Sequence, residues 1–247
     1  MTITSAANVN ELMNRTAAEV GLEPVADPFG STLQHFRQMR FLLQTVGEEL
    51  ALAHPWEFLV REEQILTLDT DTGVYPLPDD FMYMLDQTGW ERKENVPLFG
   101  PLSAQDWTYL LGRDLVTFTI YASFRIKDGT FNIFPAPPPT GLDINYEYQS
   151  KNWVQDPNDP TIFRDEFLAG DDIVLFDRTL TTRYLRVKWL EAKGFDTTKP
   201  QQDFNQMFSF LTGKDKGGDI ISAGKNGRQF PYLDSRYNTP DTGFGSV

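Results

Sequence analysis

The chain of 247 residues contains no cysteine and only two histidines. The lack of cysteine and the scarcity of histidine exclude several classes of functional site. Without cysteine there is no disulfide, no thiolate metal ligand and no cysteine nucleophile. A zinc site of histidines and carboxylates, or a serine, histidine and aspartate triad, would have to use His35 or His54. We expect structural roles for both: His35 on the polar face of a helix, and His54 near a helix C-terminus.

Long apolar runs and phosphate-binding motifs are also missing. No window approaches 18 consecutive apolar residues, and the first residues lack the basic and apolar segments of a signal peptide. There is no Walker, GxGxxG or GxSxG motif. The stretch DTDTGVYPLPDD matches an EF-hand loop poorly, because Val74 replaces the turn glycine and Asp80 the bidentate glutamate. The sequence thus predicts a soluble protein synthesised in a cytoplasm, without metal or other cofactor.

Basic residues are few relative to acidic ones. The 22 lysines and arginines stand against 35 aspartates and glutamates, which gives a formal net charge of -13. This balance opposes the broad phosphate-neutralising face that nucleic-acid binders need. We therefore do not expect sequence-reading DNA binding, although an acidic wall past which DNA slides is compatible with this charge.

Two amphipathic helices are predicted near the start of the chain. The first covers residues 9–20, with Asn8 as its N-cap and Gly21 as its stop. The second begins where Ser31 and Gln34 resemble a capping box and ends before Pro55. It carries apolar residues at alternating spacings of three and four, which predicts a buried helix-packing face. These residues are Phe36, Met39, Leu43, Val46, Leu50 and Ala53.

The periodicity then changes from helical to alternating. Residues 66–69, 116–120 and 142–148 alternate between apolar or aromatic and polar side chains, which predicts strands. Residues 123–127 and 130–134 are predicted to form a hairpin, because Asp128 and Gly129 suit a two-residue turn. The proline-rich segment 134–141 is expected to be a connector or an edge.

Helical patterns return in the last third of the chain. A helix is predicted from about Asp171 to Gly194, with Ile173, Phe176, Leu180, Val187 and Leu190 on one face. A last helix begins near Pro200 and carries Phe204, Phe208 and Leu211. Segregated runs of helices and strands favour an α+β fold over a parallel α/β sheet. We predict a helical bundle formed by the N- and C-terminal helices, with an inserted antiparallel β segment.

The final stretch has a different composition. From residue 212 onward it is rich in glycine and polar residues, with five basic against four acidic side chains, whereas residues 1–211 carry about -14. It also retains several aromatic residues. We predict an extended C-terminal arm that becomes ordered on a partner. The expected division is residues 1–55 for the N-terminal helices, 56–165 for the β-rich insertion, 166–211 for the C-terminal helices and 212–247 for the arm.

Several motifs together resemble the head-to-tail adaptor proteins of short-tailed phages, of the tail tubular protein A type. They are HPWEFL (54–59), TGVYPLPDDFMYM (72–84), VPLFGPLSAQDW (96–107), FNIFPAP (131–137) and LDINYEY (142–148). In order and length the resemblance covers nearly the whole chain. In this reading Trp56, Phe58 and Leu59 anchor the end of the long helix, while Asp79 and Asp80 cap a short turn that begins at Phe81.

The resemblance implies a structural virion protein at the head-tail junction, not an enzyme. Such adaptors form a ring, usually of twelve copies, beneath the portal protein. The ring continues the DNA channel towards the tail nozzle protein, and genomic DNA passes through without specific binding. A C-terminal segment grips the portal. In this chain the candidate portal-binding residues are Arg228, Phe230, Tyr232, Arg236, Tyr237 and Phe244, which could equally be linker residues.

Two alternatives remain open at the level of the sequence. The first is a virion-associated glycosidase, which would need two carboxylates at a suitable separation. Asp79, Asp80, Glu147 and Asp165 are candidates only because acidic residues are abundant. The second is a monomeric binding module whose β segment holds a small ligand.

Overall fold

The computed structural model describes residues 6–112 and 123–215, and this part of the chain has an α+β fold, as predicted. Its helices are α1 (Val9–Glu19), α2 (Gln34–Ala53), α3 (Ala104–Gly112), α4 (Arg178–Ala192) and α5 (Thr198–Asp215). Its strands are β1 (Ala7–Asn8), β2 (Val60–Leu66), β3 (Val74–Pro76), β4 (Phe81–Met84), β5 (Trp90–Glu91), β6 (Val96–Pro97), β7 (Ser123–Lys127), β8 (Thr130–Phe134), β9 (Asp143–Ser150), β10 (Val154–Gln155), β11 (Phe163–Arg164) and β12 (Ile173–Val174). All strand pairs are antiparallel.

Helices α1, α2, α4 and α5 share one hydrophobic core, and α4 packs against each of the other three. The predicted apolar face of α2 is buried from Phe36 to Leu50, with each member at most 1% exposed. Ala53 was wrongly included, because it is exposed while Ala51 is buried. The predicted cap of α1 is confirmed, since the Glu11 backbone N–H donates to Asn8 Oδ1 at 2.7 Å.

The predicted capping box of α2 is wrong. The helix begins at Gln34, its N-cap is Leu33, and no side chain caps it. Ser31 Oγ instead accepts a hydrogen bond from the Leu33 backbone N–H at 3.3 Å, so it shapes the turn that precedes the helix.

The start of α4 was predicted about seven residues too early. Ile173 and Val174 form β12, which pairs with both β1 and β10. The helix begins after Asp177, whose Oδ1 accepts from the backbone N–H groups of Thr179 and Leu180 at 2.8 and 3.0 Å. Ile173 and Val174 are β-branched and pair with two strands, so they form a strand although their spacing fits an apolar helix face. The side-chain cap at Asp177 determines where the helix begins.

A second core lies in the β-rich part of the chain. Strand β9 pairs along its length with β2, and its other edge pairs with β4 and β5. Strands β3, β8 and β7 form a separate sheet, and stacked rings join the two sheets: Phe131 stacks on Phe124 and on Tyr146, at centroid distances of 4.7 and 4.9 Å. Aromatic residues thus supply much of this core.

Two strand predictions are confirmed and one has the wrong bounds. The hairpin of β7 and β8 turns at Asp128 and Gly129, both of which have positive φ. On β9, Ile144, Tyr146 and Tyr148 are buried. The strand predicted at 66–69 is wrong in its bounds, because β2 covers Val60–Leu66 and ends there; Leu66 and Leu68 are about 60% exposed, and Thr67 is buried. The predicted strand at 116–120 lies outside the described residues.

Candidate functional site

The segment predicted to be an arm begins at a fixed point on the fold. Helix α5 is described up to Asp215, so residues 212–215 are helical. Asp215 Oδ2 accepts from the Glu57 backbone N–H at 3.1 Å and lies 3.2 Å from His54 Nε2. Both side chains of the His54–Asp215 pair are largely buried. We call this contact the α5 anchor, because it holds the end of α5 against the end of α2.

Aromatic residues surround the α5 anchor. The Trp56 ring contacts those of His54, Phe176 and Phe208, at centroid distances of 4.9, 5.8 and 6.1 Å. Its indole N–H donates to the Leu50 backbone carbonyl at 2.7 Å. The predicted anchoring role of Trp56 at the end of the long helix is therefore confirmed, and His54 is a structural residue at a helix end.

The six predicted portal-binding residues lie outside the described residues. These are Arg228, Phe230, Tyr232, Arg236, Tyr237 and Phe244. Their role stays a prediction, and what the structure contributes is the position at which the segment that carries them begins.

Helix α3 was missed by the sequence analysis, and it buries none of its residues. Ser103 precedes it, accepts from the Asp106 backbone N–H at 3.1 Å and donates to Asp106 Oδ2 at 2.7 Å. The pair of Ser103 and Asp106, three residues apart, is the sequence signal from which the start of α3 could have been predicted. Leu111 is 56% exposed, and Phe99, on the preceding segment, is 67% exposed. An apolar helix that buries no residue gains little from packing against the described part of the chain, which is typical of a surface that contacts a partner.

The predicted role of Asp80 as the cap of a turn is wrong, because Phe81 begins strand β4. Asp80 Oδ1 accepts from the Tyr148 hydroxyl at 2.8 Å, and its Oδ2 accepts from Ser150 Oγ at 2.7 Å. The carboxylate therefore ties the start of β4 to the end of β9. Asp165 lies elsewhere, 3.5 Å from Lys151 Nζ, and Glu147 is exposed on β9.

Glu63 is a second carboxylate that lies within the electrostatic influence of Asp80. It was not singled out from the sequence. It lies opposite Tyr146 in the pairing of β2 with β9. Burial raises the pKa of Glu63, and the negative charge of Asp80 raises it further. The pKa of Tyr148 is also raised, first by burial and then by its hydrogen bond to Asp80. Glu63 and Tyr148 therefore favour their protonated forms within the fold.

Neither a cluster of metal-ligating side chains nor a membrane-spanning helix occurs in the described part of the chain. Within residues 6–112 and 123–215, no three acidic or histidine side chains lie close enough together to hold a metal ion. Over the same ranges, each helix is too short or too polar to cross a bilayer.

Comparison with known proteins places these features in a family. The model of the SU10 adaptor protein family matches residues 7–214, which span the described elements from β1 to the last turn of α5. No match was found among curated proteins. The family match covers well over half of the chain, and the chain therefore belongs to the SU10 adaptor protein family, which makes it a phage head-tail adaptor.

Proposed function

We propose that this protein forms a ring beneath the portal of a short-tailed phage, in the manner of tail tubular protein A. The ring, of twelve copies, joins the portal to the tail nozzle protein and lines the DNA exit channel. The observation that carries the proposal is the family match over residues 7–214. The resemblance of the motifs at 54–59, 72–84 and 96–107 to adaptors of short-tailed phages supplies the finer assignment.

The proposed subunit has four parts. Residues 1–55 and 166–211 form a helical bundle, residues 56–165 form the β-rich insertion between them, and residues 212–247 form the arm. The core shared by α1, α2, α4 and α5 supports this division, as does the separate aromatic core around Phe131 and Tyr146. Helix α5 is described up to Asp215, so the first four residues of the proposed arm, 212–215, are helical.

The arm is the proposed portal grip. Its aromatic and basic residues suit a segment that folds on a partner, with Phe230 and Tyr232 as apolar contacts and Arg228 and Arg236 as hydrogen-bond donors. The α5 anchor supports this role, because a grip transmits force only if its base is fixed to the body. Asp215, held by His54 and Glu57, is that base.

The net charge supports a conduit that does not retain DNA. Residues 1–211 carry about -14, and a negative wall repels the phosphate backbone at short range. At physiological salt, screening limits this repulsion to about 8 to 10 Å. The wall therefore repels DNA that comes close to it and has little effect on DNA near the axis of a channel wide enough for a duplex. We propose that genomic DNA passes without specific contacts, and that the subunit is synthesised in the host cytoplasm before assembly.

The proposed function is structural and not enzymatic. An adaptor role requires no catalytic group, and both carboxylate oxygens of Asp80 accept hydrogen bonds within the fold. No specific observation favours the glycosidase or the ligand-binding module over the adaptor.

The test is the mass and shape of the full chain, alone and mixed with the portal of its phage, by light scattering and negative-stain imaging. We expect rings on the portal. A protein that stays monomeric and ignores the portal would contradict the proposal.

The portal grip is tested separately in the full chain. Phe230→Ser with Tyr232→Ser should abolish capture on the portal, whereas the control pair Leu66→Ser with Leu68→Ser, which removes two exposed leucines outside the arm, should leave capture intact. Undiminished capture by the arm variant would overturn the grip and leave the adaptor proposal intact.

A further inference from the structure

A cleft of about 540 Å³ opens between α2, β4 and the loop that follows β9. Its apolar lining consists of Leu52, Met82 and Trp153. Leu52 is 62% exposed although it lies in the last turn of a helix whose opposite face is fully buried. Trp153 is buried, and its indole N–H has no hydrogen-bond partner among the described residues. An exposed leucine above a buried tryptophan is an apolar surface that an occupant would cover.

The rim of the cleft is acidic. Glu48, Asp165 and Glu166 line it against a single cation, Lys151, whose Nζ lies 3.5 Å from Asp165 Oδ2. Neither Glu48 nor Glu166 forms an ion pair with a described residue. Two carboxylates are thus left unneutralised beside an apolar floor. The cleft suits an occupant with two cationic and several apolar or aromatic side chains.

One segment of this chain has that composition. Between Asp219 and Asp234 there are two basic residues, Lys225 and Arg228, and no acidic residue. The same stretch contains Ile220, Ile221, Phe230, Tyr232 and Leu233. Its charge of +2 matches the two unneutralised carboxylates of the cleft, in a protein whose charge is otherwise strongly negative.

The start of this segment is within reach of the cleft. The α5 anchor fixes Asp215 at His54, two residues beyond Leu52 at the end of α2. Residues 216–220 span up to about 17 Å when extended. A helix with its side chains is about 10 to 12 Å across, so these five residues suffice to pass around the end of α2. A tether this short gives a local concentration on the order of millimolar, which favours the segment of the same chain over that of another.

We propose that residues 220–233 dock in this cleft of their own chain while the subunit is free. Lys225 and Arg228 face Glu48 and Glu166, and the aromatic side chains cover Leu52 and Met82. The inference concerns the free subunit and does not depend on the proposed portal grip. If that grip holds, the two interactions compete for Arg228, Phe230 and Tyr232, so that the arm is stored on the body until a partner displaces it.

The test is a distance measurement between two spin labels on the full chain. Because the chain has no cysteine, Thr45→Cys and Gln229→Cys provide the only two labelling sites. Thr45 is exposed on α2 one turn from Glu48. If the segment docks, pulsed electron paramagnetic resonance should give a single narrow distribution of short distances between the two labels. The charge reversals Glu48→Lys with Glu166→Lys should broaden it, whereas Glu94→Lys with Glu147→Lys, which change the net charge equally on the exposed β-rich part, should not.

Each remaining outcome decides against the proposal. A broad distribution in the parent chain, equal to that of the Glu48 and Glu166 reversal, would show that the cleft does not hold the segment. A narrow distance that disappears when labelled chain is diluted into excess unlabelled chain would show that another copy's segment occupies the cleft. These measurements use no portal, so a failure here leaves the adaptor proposal untouched, and a failure of portal binding leaves this one untouched.

Discussion

Arg164 donates a hydrogen bond from Nη2 to Asp172 Oδ1 at 2.9 Å, and the same nitrogen lies 3.0 Å from Asp156 Oδ2. Asp172 is almost fully buried, and its second oxygen accepts from the Leu168 and Ala169 backbone N–H groups at 2.6 and 2.9 Å. One carboxylate therefore organises the loop that leads from β11 into β12. The sequence predicts Asp172 in the first turn of a helix, whereas it lies at the end of this loop.

We expect Asp172→Ala to lower the free energy of unfolding by about 3 kcal/mol, because it leaves two backbone donors without their acceptor and removes the buried partner of Arg164, which keeps only Asp156. Denaturant unfolding measures the loss. Asp165→Ala is the matched control, since its contact with Lys151 is exposed on both sides and should cost less than about 1 kcal/mol. Equal losses in the two variants would contradict the role given to Asp172.

Gly47 on α2 is required by the position of Trp153. A Cβ at residue 47 would lie 2.2 Å from Trp153 Cζ2, and Trp153 is buried with little room to move. We expect Gly47→Ala to destabilise the protein by about 1 to 3 kcal/mol, although alanine favours a helix intrinsically. Thermal and denaturant unfolding measure the change.

The control for Gly47 is Gly213→Ala on α5, where an added Cβ meets no atom of the described residues within 4 Å. Here the helix propensity acts alone, and we expect stabilisation of up to about 1 kcal/mol. If Gly47→Ala were as stabilising as Gly213→Ala, the indole of Trp153 would not be seated against α2.

The sequence predicted those elements whose signal is local. The apolar face of α2 and the buried face of β9 follow from periods of 3.6 and 2, and the hairpin follows from its two turn residues. The start of α4 failed because the strand partners of Ile173 and Val174 are distant in sequence. The strand predicted at 66–69 failed because alternation does not mark where a strand ends, and β2 ends at Leu66. The α5 anchor was invisible for the same reason as β12: His54 and Asp215 meet only in the fold.

Glu63 should make stability depend on pH in the direction opposite to that of an ion-paired carboxylate. Burial and the charge of Asp80 raise its pKa in the folded state, so the folded protein holds this proton more tightly than the unfolded chain. Its ionisation therefore costs stability above the folded pKa, and this cost disappears below the unfolded pKa near 4.3.

We expect Glu63→Gln to unfold at higher denaturant concentration than the parent protein at pH 7, and the difference to vanish as the pH falls below about 4. Denaturant midpoints from pH 7 to 3.5 provide the measurement. Glu62→Gln is the control, because this neighbour is exposed and pairs with Arg92 on the surface. A Glu63 variant that is less stable at neutral pH would mean that its carboxylate is stabilised in the fold.

Leu111 on α3 should matter for assembly and not for folding. It is 56% exposed and α3 buries none of its residues, so Leu111→Ser removes little buried apolar surface and should change the unfolding free energy by less than about 0.5 kcal/mol. If α3 is covered in the assembled ring, the same change should weaken ring formation on the portal, measured by light scattering. Leu66→Ser, at 59% exposure on β2, tests whether any exposed leucine has this effect. Equal ring formation by the parent and the Leu111 variant would show that α3 stays uncovered.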